Sequence, residues 1–166
     1  MYEDEFSPWV SWPNRNELLN IKFVGVYALA LSDRNIGDTS FTWRKEIIYI
    51  GMTTAILGLK GRMKQFDNTI LGKKGHGGAD RVLYKHRDYN KLVQNLYVAV
   101  APFKCDVKTN KPEDLRIMGD VARFEYLCLA HFVEKFGELP EFNNKMKSPK
   151  YSKSVGNKLT QSDNLK

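Results

Sequence analysis

The sequence has few of the residues that disulfide-rich or zinc-binding proteins require. Its 166 residues include two cysteines, Cys105 and Cys128, and three histidines, whose spacings match no zinc site. Cysteines this few and this far apart favour a reducing compartment, and we expect a cytoplasmic protein. No apolar run approaches the roughly 18 residues that cross a bilayer, and the acidic start lacks a signal-peptide core. We therefore expect no membrane partner.

The glycine-rich stretch at residues 71–81 lacks the pattern of a nucleotide-hydrolysing loop, because no Gly-Lys-Ser/Thr sequence is present. Its backbone amides, together with Lys73 and Lys74, could instead bind a phosphate group. His76 lies in the same stretch. A loop histidine is ordinarily solvated, but one within a basic region could also carry a proton at neutral pH.

Positive charge is present in excess and is concentrated in two stretches. The net charge is +7. Residues 60–91 contain nine Lys or Arg and three Asp, and residues 145–166 contain six Lys and one Asp. Two basic regions on a mildly acidic remainder predict binding to a polyanion, and nucleic acid is the polyanion that we expect. Residues 158–166 also suit a solubilising, disordered terminus.

Apolar patterning predicts one folded domain with three strands. The hydrophobic fraction of 42% is sufficient for a core. Short runs rich in Val, Ile and Tyr predict strands at residues 21–31, 46–51 and 95–100. Polar turn formers at residues 32–45 predict a hairpin with an elongated tip, in which residues 41–44 suggest that the second strand begins early.

The N-terminal arm, residues 1–20, contains two tryptophans between prolines. Pro8 and Pro13 favour an extended segment around Trp9 and Trp12. We expect this arm to cover an exposed edge of the core. Alternatively, the two indole rings could stack on nucleic-acid bases.

Helical spacing of apolar residues predicts three helices. The first begins near residue 59, with Thr54 available as its N-cap, and carries Arg62 beside its apolar face. The second spans residues 78–89. The third spans residues 121–136, with Asp120 as its cap, and Gly137 ends it.

Glu125 lies at the margin of the apolar stripe of the third predicted helix. A carboxylate in that position is costly unless it is paired or bound to a cation. The sequence leaves two alternatives open: an ion pair with Arg123 or Arg62, or a bound metal ion.

Two glycine–tyrosine pairs occupy equivalent places on the first two predicted strands. Gly25 and Tyr27 fall on one face of the first strand, and Tyr49 and Gly51 fall on one face of the second. A glycine beside a phenol leaves a gap through which the backbone of a ligand could approach the sheet. Alternatively, both tyrosines are ordinary amphipathic strand residues.

Five features of the sequence, taken in order, resemble the motifs of the GIY-YIG nuclease family. They are Gly25-Val26-Tyr27, Tyr49-Ile50-Gly51, Arg62, Glu125 and a late asparagine, for which Asn143 is preferred over Asn144. The resemblance implies an α/β (α+β) fold with a small central antiparallel sheet of about three strands flanked by helices. It places the nuclease domain at residues 21–145, after the arm and before a basic, flexible tail at residues 146–166.

The resemblance also implies roles for individual residues. Glu125 would bind one Mg²⁺ (or Mn²⁺), and Arg62 would hold the scissile phosphate. Tyr27 would act as the base toward water, with its pKa lowered by nearby cations. Tyr49 would orient the phosphate or the water, and Asn143 would complete the catalytic set.

Three departures from the family pattern are visible. The spacing of 22 residues between the two tyrosines is longer than usual, which implies an inserted hairpin tip. Phe66 stands four residues after Arg62, where many members have His or Tyr, and we expect His76 to replace that side chain. Some restriction-type members have a later catalytic arginine, which makes Arg81 an alternative to Arg62.

We expect a metal-dependent DNA endonuclease, of a site-specific restriction type, that acts on double-stranded rather than single-stranded DNA. Because cutting both strands requires two sites, the enzyme could be a homodimer. The basic side chains expected to contact DNA are Lys60, Lys73, Lys74, Arg81, Lys85, His86 and Arg87. Two alternatives remain open: a non-catalytic nucleic-acid-binding module of the same fold, and a structural or interaction protein whose charges only keep it in solution.

Overall fold

The computed structural model describes residues 1–73 and 75–152. Lys74, with its expected phosphate contact, and residues 153–166 of the predicted tail lie outside the described residues. Within the two described ranges, no helix is both long and apolar enough to span a membrane.

A four-stranded antiparallel sheet forms the centre of the fold. Its strands are β1 (Val10–Ser11), β2 (Val24–Leu31), β3 (Ile47–Thr53) and β4 (Leu96–Phe103), in the spatial order β1-β4-β2-β3. The prediction of an α+β fold with a central antiparallel sheet is confirmed. The prediction of about three strands is wrong, because two residues of the N-terminal arm add a short edge strand beside β4.

The helices are α1 (Gly58–Ile70), α2 (Gly77–Lys85), α3 (Tyr89–Gln94) and α4 (Pro112–Phe136), with 3-10 helices at Glu3–Glu5, Trp12–Glu17 and Glu141–Asn143. The helix predicted at residues 78–89 ends earlier, at Lys85, and a separate helix begins at Tyr89, where the Asp88 carboxylate accepts from the amide of Lys91 as its N-cap. The last helix begins at Pro112 rather than at residue 121. Proline suits the first helical turn, and two acidic residues there interact favourably with the helix dipole.

The start of α1 also differs from the prediction. Leu57 rather than Thr54 is at the N-cap, and no side chain caps the helix. The chain turns at Gly58, where φ is +58° and a Cβ would lie 2.3 Å from the Lys22 carbonyl oxygen. Only glycine fits this turn. At the end of α4, Gly137 adopts a φ of 80°, as the prediction of a C-terminal glycine requires.

Each face of the sheet has its own core. Val26 lies on the face that α4 covers, together with Phe41 and Trp43. Tyr27 lies on the other face, which packs against α1 and α2. The prediction that residues 41–44 begin the second strand is wrong: β3 starts later, and the two aromatic side chains fold into the core instead.

The N-terminal arm covers the core, as predicted. Trp9 and Trp12 are fully buried, so their rings offer no surface on which bases could stack. Trp12 Nε1 donates to Asp67 Oδ1 at 2.7 Å, and Arg15 forms an ion pair with the same carboxylate at 3.1 Å. The Tyr89 hydroxyl also donates to Asp67, at 2.9 Å. Asp67 of α1 therefore ties both the arm and α3 to that helix.

Candidate active site

The two glycine–tyrosine motifs meet across β2 and β3. Tyr27 pairs with Gly51 in the antiparallel register, and the rings of Tyr27 and Tyr49 have centroids 6.0 Å apart. A Cβ on Gly51 would lie 2.7 Å from the Tyr27 hydroxyl oxygen and 2.7 Å from the Tyr49 ring. A Cβ on Gly25 would lie 2.3 Å from the Ala101 carbonyl oxygen. The gap that was predicted to admit a ligand is filled by the protein's own rings and backbone.

A glycine of α2 confines the Tyr49 ring from another side. A Cβ on Gly78 would lie 2.6 Å from both Cε2 and Cζ of Tyr49, and 2.9 Å from its hydroxyl oxygen. Gly51 approaches the Cε1 edge of the same ring. The ring therefore lies in a slot between β3 and α2 that two glycines leave open. The glycine-rich stretch of the sequence was the signal for the second of them.

His76 is buried behind the tyrosines and is the N-cap of α2. Its Nδ1 accepts from the amides of Gly78 and Ala79, each at 3.1 Å. Because Nδ1 is an acceptor, the proton of the neutral ring lies on Nε2, which donates to the Tyr27 hydroxyl oxygen at 2.8 Å. Burial, reinforced by the charge of Arg62, lowers the pKa of His76 to about 3. The ring is therefore neutral at pH 7, and the proton exchange expected near neutrality moves to strongly acidic pH.

Phe66 supports this histidine. Phe66 is buried, and its ring centroid lies 5.0 Å from that of His76. The histidine reaches Tyr27 from the start of α2, while the phenylalanine occupies the helical position at which many family members have His or Tyr. The expectation that His76 replaces that side chain stays a prediction.

Arg62 is the cation that the groups of the site share. Its charge favours the ionised forms of Tyr27, Tyr49 and Glu125. Its Nη1 donates to Oε1 of Gln65 at 2.7 Å, whereas its Nε is buried without a hydrogen-bond partner among the described residues. A partly buried guanidinium whose buried Nε is an unused donor is suited to an anionic ligand.

Glu125 lies on α4, within reach of the charge on Arg62. Among the residues that the structure describes, its carboxylate has no ion-pair partner, so the predicted pair with Arg123 or Arg62 does not form. Burial raises the pKa of Glu125, and the charges of Arg62 and Lys145 oppose that rise. The carboxylate is thus partly buried, and the nearby cations compensate only part of the free-energy cost of keeping it ionised there.

The donor set limits the kind of metal that the site could bind. In the described part of the chain, no group of three or more His, Cys, Asp or Glu side chains could hold a metal ion. Mg²⁺ retains several waters and is commonly bound through one or two carboxylates and a phosphate. A single unpaired carboxylate, that of Glu125, fits an ion of this kind and does not fit a caged structural metal.

Burial dominates the acidity of both phenols. Burial raises the pKa of Tyr27 well above its usual value, and it also raises the pKa of Tyr49. Arg62 opposes both shifts. The neighbouring Tyr49 phenol raises the pKa of Tyr27 further. The expectation that nearby cations lower the pKa of Tyr27 is wrong, because burial outweighs them.

A cavity of about 870 Å³ opens beside Tyr49. Predicted catalytic residues meet on its wall, among them Tyr49 from β3, Arg62 from α1 and Glu125 from α4. Tyr27 and His76 are buried behind that wall. The other lining residues are Gly77, Gly78, Arg81, Tyr126, Leu129, Ala130, Val133, Glu134, Leu139, Phe142, Asn143, Lys145 and Lys150.

Asn143 borders the cavity, but its amide is engaged with β3. Its Oδ1 accepts from the Ile50 amide at 2.8 Å, and its Nδ2 donates to the Ile50 carbonyl oxygen at 2.7 Å. Because β3 is an edge strand, these two bonds pair its outer side between Tyr49 and Gly51. Asn143 therefore positions the strand that carries Tyr49.

Arg81 lines the cavity with two lysines that the sequence analysis did not single out, Lys145 and Lys150. Its Nη1 donates to the Ser148 carbonyl oxygen at 2.5 Å, which fastens the segment after the last 3-10 helix to α2. The only sequence signal for the lysines was the excess of positive charge after residue 145. Both candidate arginines border the cavity, and Arg62 is the one whose charge reaches both tyrosines and the carboxylate.

Five other basic residues that were predicted to contact DNA do not line the cavity: Lys60, Lys73, Lys85, His86 and Arg87. Lys85 forms an exposed ion pair with Glu141 at 2.5 Å, and the Arg87 guanidinium lies 5.8 Å from the Tyr84 ring centroid. Burial lowers the pKa of His86, so its ring is mostly neutral at pH 7. These side chains could contact only a ligand larger than the cavity.

The chain matches no protein-family model, no curated protein and no solved structure. The resemblance to the GIY-YIG family therefore remains a prediction.

Proposed function

We propose that the protein is a metal-dependent DNA endonuclease of the GIY-YIG type, which hydrolyses phosphodiester bonds. The observation that carries the proposal is the convergence of Tyr49, Arg62 and Glu125 from three separate elements on one cavity. A phenol, a guanidinium with an unused donor and an unpaired carboxylate are the groups that such a hydrolysis needs.

Arg62 would bind the scissile phosphate. A guanidinium presents planar donors that match two phosphate oxygens, and the buried Nε has no other partner in the described part of the chain. The hydrogen bond from Nη1 to Gln65 fixes the side chain before the substrate arrives. Arg62 would therefore neutralise charge on the phosphate without reorganising.

Glu125 would hold the Mg²⁺ ion. When bound, the ion would supply positive charge where negative charge develops on the leaving oxygen. The cation would also offset the cost of keeping a partly buried carboxylate ionised. A structure with this carboxylate paired to Arg123 would have left no ligand for a metal.

We assign the direct contact with the attacking water to Tyr49 rather than to Tyr27. Tyr49 borders the cavity, whereas Tyr27 is fully buried behind it. Attack of water on phosphorus breaks the bond to the leaving oxygen, and the water gives one proton to the Tyr49 oxygen when that phenol is ionised. The His76 Nε2–H group donates to the Tyr27 hydroxyl behind Tyr49, and the charge of Arg62 favours the ionised form of Tyr49.

DNA is the substrate that the charge distribution favours. Arg81, Lys145 and Lys150 add positive charge to the wall that holds Arg62. Binding to double-stranded DNA, a restriction-type role and a homodimer with two active sites are parts of the same proposal. The dimer would provide one active site for each strand.

The test is cleavage of plasmid and single-stranded DNA with Mg²⁺ by the wild type, by Glu125→Gln and by a control, Glu134→Gln. Glu134 lies on the same helix and borders the same cavity, but its side chain is 75% exposed. We expect cleavage by the wild type and the control, its loss in Glu125→Gln, and its loss in EDTA. Discrete plasmid fragments would support the site-specific role.

Two outcomes would overturn the proposal. Salt-sensitive DNA binding without cleavage would indicate a non-catalytic nucleic-acid-binding module, because phosphate contacts weaken steeply with salt. The absence of any DNA binding at low salt would indicate a structural or interaction protein. Equal cleavage by Glu125→Gln would keep a nuclease but remove the metal ligand that we assign.

A further inference from the structure

Two adjacent aliphatic side chains are exposed between β3 and α1. Ile56 is 62% exposed and Leu57 is 73% exposed. Single exposed apolar residues are common on protein surfaces, whereas a contiguous apolar patch often marks a place where a ligand binds. Ile56 and Leu57, called here the apolar tip, are candidates for such a place.

The apolar tip borders the residue that we assign to the phosphate. A second cavity of about 640 Å³ is lined by Ile56, Leu57, Arg62 and Gln65. Arg62 thus forms part of the wall of both cavities. A ligand held by the Arg62 guanidinium would lie against the apolar tip on one side and against Glu125 on the other.

The backbone holds the apolar tip in a fixed position. The amide of Gly58 donates to the Ala55 carbonyl at 2.9 Å, and the amide of Leu59 donates to the Phe23 carbonyl at 2.9 Å. The positive φ of Gly58 and its close approach to the Lys22 carbonyl fix the turn that follows. The two side chains are therefore presented by a rigid turn, as insertion into a ligand requires.

Positive charge surrounds the apolar tip. Ile56 also lines a third cavity that contains Lys22 and Lys108, with Asp106 as its one acidic residue. Together with Arg62, these cations favour an anionic ligand that also offers an apolar surface. Duplex DNA meets both conditions, since its phosphates flank stacked bases.

We propose that Ile56 and Leu57 act as a wedge that enters duplex DNA between two base pairs next to the phosphate held by Arg62. The wedge rests on the proposed function, because that function places the phosphate. Apolar wedges partly unstack a base step and kink the duplex. An anionic membrane surface would also bind an apolar tip that has lysines nearby. It would not explain why Arg62 lines both the cavity beside the apolar tip and the cavity that contains Glu125.

The wedge makes a prediction about substrate preference. A base step already weakened by a mismatch has lost part of the stacking energy that insertion must overcome. The protein should therefore bind a duplex with a central mismatch more tightly than the matched duplex of the same length. We expect a difference of about tenfold, which corresponds to about 1.4 kcal/mol.

The experiment measures binding of both duplexes by fluorescence anisotropy in EDTA, with 2-aminopurine at the central step as a reporter of unstacking. The variants are Ile56→Ser/Leu57→Ser and a control, Leu71→Ser. Leu71 is 51% exposed and lies at the opposite end of α1, about 20 Å away at 1.5 Å per residue. Neither change removes a buried side chain, so folding should be retained, and thermal unfolding checks this.

The proposal is supported if the wild type and Leu71→Ser prefer the mismatched duplex and raise the 2-aminopurine fluorescence, while the double variant does neither. Equal binding of both duplexes by the wild type would overturn it and leave the nuclease proposal intact. Binding to vesicles of anionic lipid that the double variant loses, with DNA binding unchanged, would also overturn it. A protein that shows the mismatch preference but no cleavage would overturn the nuclease and keep the wedge.

Discussion

Gly78→Ala tests whether the slot around Tyr49 sets the activity. The added Cβ would lie 2.6 Å from two atoms of the Tyr49 ring, whereas an ordinary contact begins at 3.4 Å. The ring or α2 must therefore shift by about 0.8 Å. A misplacement of about 1 Å in a catalytic group can reduce the rate by about 100-fold. We expect a loss of this order in single-turnover DNA cleavage.

Gly77→Ala is the matched control for stability. A Cβ on Gly77 would meet only the flexible end of Lys150, 3.3 Å from its Nζ. Both substitutions replace glycine by alanine in the first turn of α2, so the gain in helix propensity cancels when they are compared. The remaining difference is overpacking, which typically costs about 1–3 kcal/mol. Since 1 kcal/mol shifts the Tm of a chain of this size by about 2–4 °C, Gly78→Ala should melt measurably below Gly77→Ala.

A control for activity comes from the middle of α4. A Cβ on Gly119 would have no described neighbour within 4 Å, and Gly119→Ala should raise stability by up to about 1 kcal/mol without changing cleavage. Equal stability and equal activity of Gly77→Ala and Gly78→Ala would refute the slot. Tyr49 would then have free space beside it, and its position would not depend on α2.

Three further outcomes follow from the geometry. Because burial raises the pKa of Tyr49, the rate of cleavage should increase as pH rises above neutrality. Tyr49→Phe should lose this pH dependence and reduce the cleavage rate by about 10²–10⁴-fold, while Tyr27→Phe should keep the pH dependence. The pKa of His76 in the folded protein is about 3, so between about pH 6.5 and pH 3 only the unfolded chain takes up a proton at this residue. Urea unfolding should therefore show a free energy of unfolding that falls by up to roughly 5 kcal/mol as pH drops from 6.5 to 3, and His76→Gln should show a smaller fall. Asn143→Leu should lower the free energy of unfolding by about 1–3 kcal/mol, measured by thermal unfolding, because the amide and carbonyl of Ile50 lose their Asn143 partner. Unchanged stability would contradict the pairing of Asn143 with β3.

The sequence predicted the strands better than the helix boundaries. Runs of Val, Ile and Tyr gave β2, β3 and β4 because the apolar pattern there is local and short. The two-residue strand β1 could not be predicted, since Val10 and Ser11 become a strand only by pairing with β4. The start of α4 was placed nine residues late because its first turns are polar, and proline with acidic residues was the available signal.

The candidate site shows a similar division. The motifs named Tyr49, Arg62 and Glu125, which come from separate elements and line one cavity. Depth was not predictable from the strand period, which both tyrosines share: Tyr27 is buried on the central strand β2, whereas Tyr49 is only partly buried on the edge strand β3. The tautomer of His76 was also not predictable, since it depends on the two amides that its ring accepts from.

Three unfavourable features of the fold meet at this one cavity. The Arg62 Nε lacks a partner among the described residues, the Glu125 carboxylate is partly buried without an ion pair there, and burial raises the pKa of Tyr49. Two other buried donors without a partner among the described residues, Trp9 Nε1 and Arg44 Nε, lie away from the cavity, whereas the Asp67 carboxylate is fully engaged. An anionic ligand with its cation would satisfy both charged groups at once, which is why these costs indicate a binding site.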